Sequence, residues 1–249
     1  MLLNQKNCHK LSTNGIFSEN IGYLVDNVDY ELELLYSQGL EILEHKDRYY
    51  FATAHRDIKD EVFCIVDVEA SGPSVETHQI IEIAAIKLQN GKIIDKFETL
   101  VKCSDISEHI TMITSIKATD TQNSPELLDV MREFRVFLAD STFVAHSADF
   151  DYKYISKTLQ KLNIGELQNR HLCTIKLAER LIASQRYGLS YLNESLSLHV
   201  DATHHRAMSD VITTTRLFIK LLELLPSSVK TTEELIYFSK HALKIPKML

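Results

Sequence analysis

The chain has 249 residues, 45% of them hydrophobic and 24% charged, with a formal net charge of −7 from 27 Lys and Arg against 34 Asp and Glu. Only seven glycines and four prolines exclude collagen-like chains and Gly/Pro-rich disorder and favour helices. The acidic total excludes a globally basic, histone-like nucleic-acid binder, although carboxylates that hold metal ions count as negative until the metal arrives.

In chain order, the first 60 residues read differently from the rest. Two short helices are expected over 16–25 and 29–36, then two short strands over 40–43 and 48–53 around His45-Lys46-Asp47. Helix, helix, hairpin is the order of a winged-helix module, but a small packing extension is the favoured reading. Residues 1–60 are therefore read as a small N-terminal α+β extension, ending in the charged run Arg56-Asp57-Ile58-Lys59-Asp60-Glu61.

The apolar run Val62-Phe63-Cys64-Ile65-Val66 has the length and composition of a central strand buried on both faces. A second such run spans 79–87, and Asn90-Gly91 is a two-residue hairpin signal leading into a third strand over 92–101. Ser124-Pro125-Glu126 opens a helix in which Leu127, Leu128, Met131, Phe134 and Leu138 recur at helical spacing. Strand 142–145, helix 151–162, strand 171–173 and helices to 182, over 187–196 and over 205–225 follow. Pro226 stops the last of these, and a final helix is expected over 232–242. Three hairpin-connected strands followed by alternating helices and strands make a mixed five-stranded sheet flanked by helices, an α/β domain over 61–226 with a helical tail over 227–249.

Cys8, Cys64, Cys103 and Cys173 are far apart and form no Cys-x-x-Cys pair. Neither a zinc site nor a disulfide framework is signalled, and a reducing cytoplasm is expected. The first residues carry no signal-peptide core. No segment approaches the roughly 20 apolar residues that a membrane helix needs, so no membrane partner is expected.

Three clusters carry possible chemistry. Asp67-Val68-Glu69 ends the first apolar strand, and side chains two apart on a strand share a face. Two such carboxylates repel unless a positive charge sits between them, and a hard divalent ion such as Mg2+ or Mn2+ is the economical solution. Two solvated acids at a strand end are the ordinary alternative. The second cluster, His146-Ser147-Ala148-Asp149-Phe150-Asp151, runs from an apolar strand through a small-residue turn into a helix. There Asp151 also suits the helix dipole, Asp149 suits the cap, and Phe150 reads as a core anchor. The third is His204-His205-Arg206-Ala207-Met208-Ser209-Asp210. His205 and Asp210 lie five apart, off one helical stripe, and converge only if His205 sits on the loop entering the helix.

In this order and on these elements, Asp-x-Glu, His-Ser-Ala-Asp-Phe-Asp and His-Arg-Ala-x-x-Asp resemble the DEDDh family of 3′-to-5′ exonucleases. The proofreading (epsilon) group of bacterial DNA polymerase III is the part of it that this chain looks most like. The resemblance spans roughly 62–225 and implies a ribonuclease H-like fold. It places the four acids of the family on Asp67, Glu69, Asp151 and Asp210, and its histidine on His205 rather than His204. Ile81-Glu82-Ile83-Ala84-Ala85 resembles the second strand of the family. Departures fall on the nucleotide pocket. Ala70 replaces a threonine, Ser71 keeps a hydroxyl, Ser147 replaces an asparagine, and Cys173 stands where an aspartate usually precedes Thr174.

The resemblance implies two Mg2+ or Mn2+ ions on the four acids and His205 as general base. Ser71, Ser147 and Arg206 are the candidate substrate contacts. The substrate would be DNA at single-stranded or frayed 3′ ends, the products nucleoside 5′-monophosphates, and the partner a replicative polymerase subunit. Lys153, Lys157 and Lys161, spaced by four, form a basic stripe that could track a strand or simply be solvated. Alternatives are an RNA-trimming exonuclease of the same family and a catalytically inactive nucleic-acid-binding or scaffold module on this fold.

Overall fold

A computed structural model describes residues 28–45, 48–203 and 205–245. The helix expected over 16–25 lies outside them. Helix α1 (Val28–Ser37) precedes an antiparallel hairpin of β1 (Ile42–His45) and β2 (Arg48–Phe51). The main sheet follows: β3 (Val62–Ala70), β4 (Ile80–Gln89) and β5 (Lys92–Leu100) in antiparallel succession, then β6 (Thr142–Ala145) and β7 (His171–Cys173) in parallel. The strand order is β5-β4-β3-β6-β7, a mixed five-stranded sheet as the sequence pattern implies. Asn90 and Gly91, both at positive φ, make the β4–β5 turn.

Period-two alternation on β3 divides the core. Cys64, Val66 and Val68 face the layer of α4 (Leu127–Leu138) and α5 (Ala148–Lys161). Phe63 and Ile65 face the layer of α6 (Thr174–Leu181), α7 (Leu189–Leu196), α8 (Ala207–Glu223) and α9 (Thr232–His241). Each such side chain, fully buried, contributes about 1.5–3 kcal/mol, and both faces of β3 are covered. Two short helices, α2 (Glu108–Thr114) and α3 (Ala118–Thr121), occupy the stretch after β5, to which the sequence pattern assigns no element. Their Ile and Thr residues carry little helical preference. The Ser107 cap of α2 and the packing of Ile110 and Ile116 on Ile81 decide the matter instead.

The charged run 56–61 links the N-terminal hairpin, the start of α9 and the sheet. Arg56 meets Glu41, Glu61 and Asp140, and its carbonyl accepts from Thr232 N–H at 3.1 Å. Ile58 N–H donates to the Lys230 carbonyl at 3.0 Å. Arg170 pairs with Glu233 of α9 and lies over the Phe51 ring of the hairpin. On α9, Leu235 and Ile236 are fully buried in the second layer, while Tyr237 faces outward. No helix among the described residues is long and apolar enough to cross a membrane.

Candidate active site

The site forms where β3 outruns its parallel neighbour. Pairing with β6 stops at Ile65↔Val144, whereas pairing with β4 continues to the end of β3. Asp67 and Glu69 continue the face of Phe63 and Ile65, toward α8. The notch left beside β3 is filled by the first turn of α5, where Asp151 is 4% exposed and the backbone N–H groups of Val68 and of Asp151 itself oppose the upward push of burial. From the opposite layer, Asp210 in the first turn of α8 is 8% exposed. A carboxylate oxygen of Glu69, a ring nitrogen of His205 and a carboxylate oxygen of Asp210 all lie within 4.8 Å of one another.

These acids repel. Burial, and then the charges of Asp151, Glu69, Asp210 and Glu82, hold the Asp67 carboxyl well above the usual carboxylate range. Glu69 is pushed up to about 8 by burial, then by Asp210, Glu82 and Asp151, with Arg206 opposing. Asp151 is pushed up to about 7 by burial, against the pull of the two backbone N–H groups. A cluster of hard oxygen donors that push one another's carboxyls upward fits divalent cations of the Mg2+ and Mn2+ kind.

His205 sits on the incoming loop, two residues before α8, as the five-residue spacing requires. Its backbone is left-handed, with φ of 60°, and its N–H donates to Asp210 Oδ2 at 3.0 Å. The rival His204 lies outside the described residues. The loop is fastened on both sides. His199 exchanges hydrogen bonds with the Asn193 side chain, and Thr203 N–H donates to Ser209 Oγ at 2.9 Å.

The remaining sequence candidates separate. Ser71 is buried, and its Oγ accepts Gln79 N–H at 3.1 Å, closing the loop between β3 and β4. Gly72 lies under the His78 ring, where an added Cβ would come within 2.2 Å of it. Ser147 is exposed and left-handed, with φ of 91°, at the N-cap of α5. Arg206 is held by Glu82. Of the lysine stripe, Lys153 and Lys157 are exposed, while Lys161 Nζ donates to the carbonyls of Val75 and Glu76. Phe150 is not a core anchor: it is 45% exposed, its ring 5.5 Å from that of Tyr154. Because α5 begins at Ala148, Phe150 falls on its outer side in the first turn.

Two residues escape the sequence reading. Glu82 is the one acid of β4 and is buried in its apolar first half, directly opposite Glu69 in the β3–β4 register, and an acid in that run is its signal. His146 bridges Thr174 Oγ1 at 2.8 Å and the Tyr187 carbonyl at 2.9 Å. The carbonyl can only accept, so Nε2 carries the proton and Nδ1 accepts from Thr174. Burial lowers its pKa to about 4, which keeps the ring neutral.

Residues 64–218 match the RNase T exonuclease family. The chain is 34% identical over 167 residues to a PolC-type DNA polymerase III of Thermotoga maritima and 34% identical over 170 residues to that of Staphylococcus haemolyticus. These matches cover 67% and 68% of this chain but 12% of each relative's length. Among solved structures, exonuclease X in complex with 5′-overhanging duplex DNA is 27% identical, with a TM-score of 0.57 over 71% of this chain and 99% of that one. Escherichia coli exonuclease I bound to single-stranded DNA shares the fold, with 14% identity and a TM-score of 0.61 over 73% of this chain and 43% of that one.

Proposed function

Since the chain belongs to the RNase T exonuclease family, we propose that it is a metal-dependent 3′-5′ exonuclease that removes nucleoside 5′-monophosphates from DNA 3′ ends. The observation that carries this is the gathering of Asp67, Glu69, Asp151 and Asp210 from three elements, with three of the four carboxyls driven upward by burial and by one another. These four would hold two Mg2+ or Mn2+ ions, which activate a water and stabilise the leaving oxygen in phosphodiester hydrolysis.

The chain's own residues do the rest. His205, exposed at the mouth and fixed through its N–H to Asp210, takes the proton from the attacking water. Ser147 and the exposed face of Phe150 border Asp151, where a terminal nucleotide would lie, and Phe150 offers a ring for a base to stack on. The Ser71 hydroxyl, with its oxygen engaged by Gln79, keeps its proton free to donate. Exposed Lys153 and Lys157 supply local positive charge for the strand.

In this reading residues 61–226 are the nuclease, 1–60 an extension and 227–249 a helical tail, of which α9 packs on the second layer. The polymerase III relatives support a proofreading role beside a replicative polymerase in the cytoplasm, and the three described free cysteines, all buried, suit a reducing compartment. The test is a 3′-labelled oligodeoxynucleotide with Mg2+, against the matching RNA. Stepwise release of 5′-monophosphates from DNA is expected. A doubly substituted Asp67→Ala, Glu69→Ala protein that keeps its activity would overturn the assignment. Co-purification with the polymerase subunit, and the exonuclease rate with and without it, test the partner.

A further inference from the structure

Glu82 is 1% exposed, the third residue of β4, beside the site acids, where an unpartnered carboxylate is costly. Its partners are all on one short segment. Arg206 Nη2 donates to Oε1 at 2.9 Å, Arg206 Nε lies 3.3 Å from both oxygens, and Ala207 N–H donates to Oε2 at 2.9 Å. Ala207 is the first residue of α8, whose N–H has no acceptor within the helix, and Arg206 at the N-cap offers no side-chain cap. A carboxylate from another strand therefore caps α8 and grips the guanidinium in a fork.

The position of this grip matters. Glu82 stands directly opposite Glu69. The two residues that it holds, 206 and 207, lie between His205 and Asp210 in sequence. The grip thus fixes the first turn of α8 on β4, one strand from Glu69, and sets both His205 and Asp210 against it. It also keeps a cation beside Glu69, whose carboxyl Arg206 pulls down against the push of the other acids.

Resting on the exonuclease reading, we propose that Glu82 and Arg206 form a clamp that positions His205 and Asp210 relative to Glu69. Arg206 is then a positioning residue and not a contact to the nucleic-acid backbone.

The test uses the full chain with Glu82→Gln, Arg206→Gln, the double variant and Arg206→Lys. Glu82→Gln preserves shape and an acceptor for Ala207 but removes the charge. Three quantities are read: kcat and KM on a 3′-labelled single-stranded oligodeoxynucleotide, and the Kd for Mn2+ by calorimetry. Each single Gln variant is expected to lower kcat by about 10- to 100-fold and to weaken Mn2+ binding by about tenfold, the usual scale for groups that support metal ligands. KM should stay within about threefold, and the double variant should be no worse than either single one by more than about twofold, because both cut the same link. Arg206→Lys keeps the charge and loses the fork, and should recover only part of the loss.

Two results would overturn the clamp. One is a KM raised about tenfold by Arg206→Gln with kcat and Mn2+ affinity unchanged, which marks a phosphate contact. The other is a Glu82→Gln protein within about twofold of the parent in kcat and Mn2+ affinity. Should Glu82→Gln not fold, Arg206→Gln and Arg206→Lys decide. Should the parent chain degrade no oligonucleotide, the exonuclease reading fails, and the Mn2+ affinities alone judge the clamp.

Discussion

Two carboxylate clusters in this molecule differ in what answers them. At the seam between the N-terminal hairpin, α9 and the sheet, protein groups answer each acid. Glu61 is fully buried but accepts from Thr142 and pairs with Arg56, which also holds Glu41. Glu233 has Arg170 and the Thr53 hydroxyl. At the end of β3, Asp67, Glu69, Asp151 and Asp210 share the neighbourhood with a fifth acid, Glu82, and the guanidinium among them, Arg206, is gripped by that fifth acid. The seam spends its charges on holding the chain together. At the site, Asp67 and Glu69 are pushed upward by burial and by their acidic neighbours.

That contrast breaks most sharply on substitution of the acids. Asp67→Ala with Glu69→Ala should lower exonuclease turnover by at least about a thousandfold, the upper scale for losing preorganised charge stabilisation, while raising the melting temperature of the metal-free protein. Oligonucleotide turnover and a thermal melt on the same preparation check both halves. A melting temperature that falls would mean that the site acids stabilise the fold as the seam acids do.

His205→Ala should cost about 10²–10⁴ in kcat, the range for a general acid or base, with Mn2+ affinity by calorimetry largely kept. If His204→Ala does the damage instead, the base is misassigned. At the seam the effect should be on stability. Arg170→Ala strands Glu233 and should cost about 3–5 kcal/mol in denaturant unfolding, as breaking a buried pair does. Turnover of the folded protein should stay within about twofold, because the two regions share no partner.

Titration separates the clusters further. Glu69 and Asp151 have folded pKa values of about 8 and about 7, above their unfolded values near 4. A raised carboxyl binds its proton more tightly in the folded state. Its destabilising effect is thus absent below the unfolded pKa and grows until pH passes the folded one. Without metal, the melting temperature should fall between about pH 5 and pH 8. Mn2+ should restore it, by more at pH 8 than at pH 5. A metal-free melting temperature that stays level across that range would show that the site charges are answered within the protein.

Much of the frame is legible in the residues because its signals are local. The parity of Asp67 and Glu69 follows from period two. The strand lengths follow from apolar runs, and the β4–β5 turn from Asn90-Gly91. Glu82 is not legible as an anchor, because its partner lies 124 residues away in the chain and nothing local says which charge will meet it. The seam is hidden for the same reason: Thr53 and Glu233 are 180 residues apart. Phe150 reads as core by composition and is exposed by the helix start, a boundary set by the left-handed turn at Ser147.

That turn supplies the smallest test. Ser147 holds φ of 91° and ψ of 45°, a left-handed conformation that costs a residue with a Cβ about 1–2 kcal/mol. Glycine would remove the strain but loses about 0.5–1 kcal/mol through the extra freedom of its unfolded chain, so the two effects nearly cancel. Asparagine tolerates the left-handed region without that entropy, because its short amide bonds locally to the backbone. Ser147→Asn should therefore stabilise by about 0.5 kcal/mol, a rise of about 1–2 °C in melting temperature, and Ser147→Gly by less. Ser147→Val should destabilise, because a β-branched residue fits that region worst. If Asn and Gly both lower the melting temperature, the serine hydroxyl makes a contact that outweighs the strain. Its place beside Asp151 would then resemble the seam, where each polar group is answered from within.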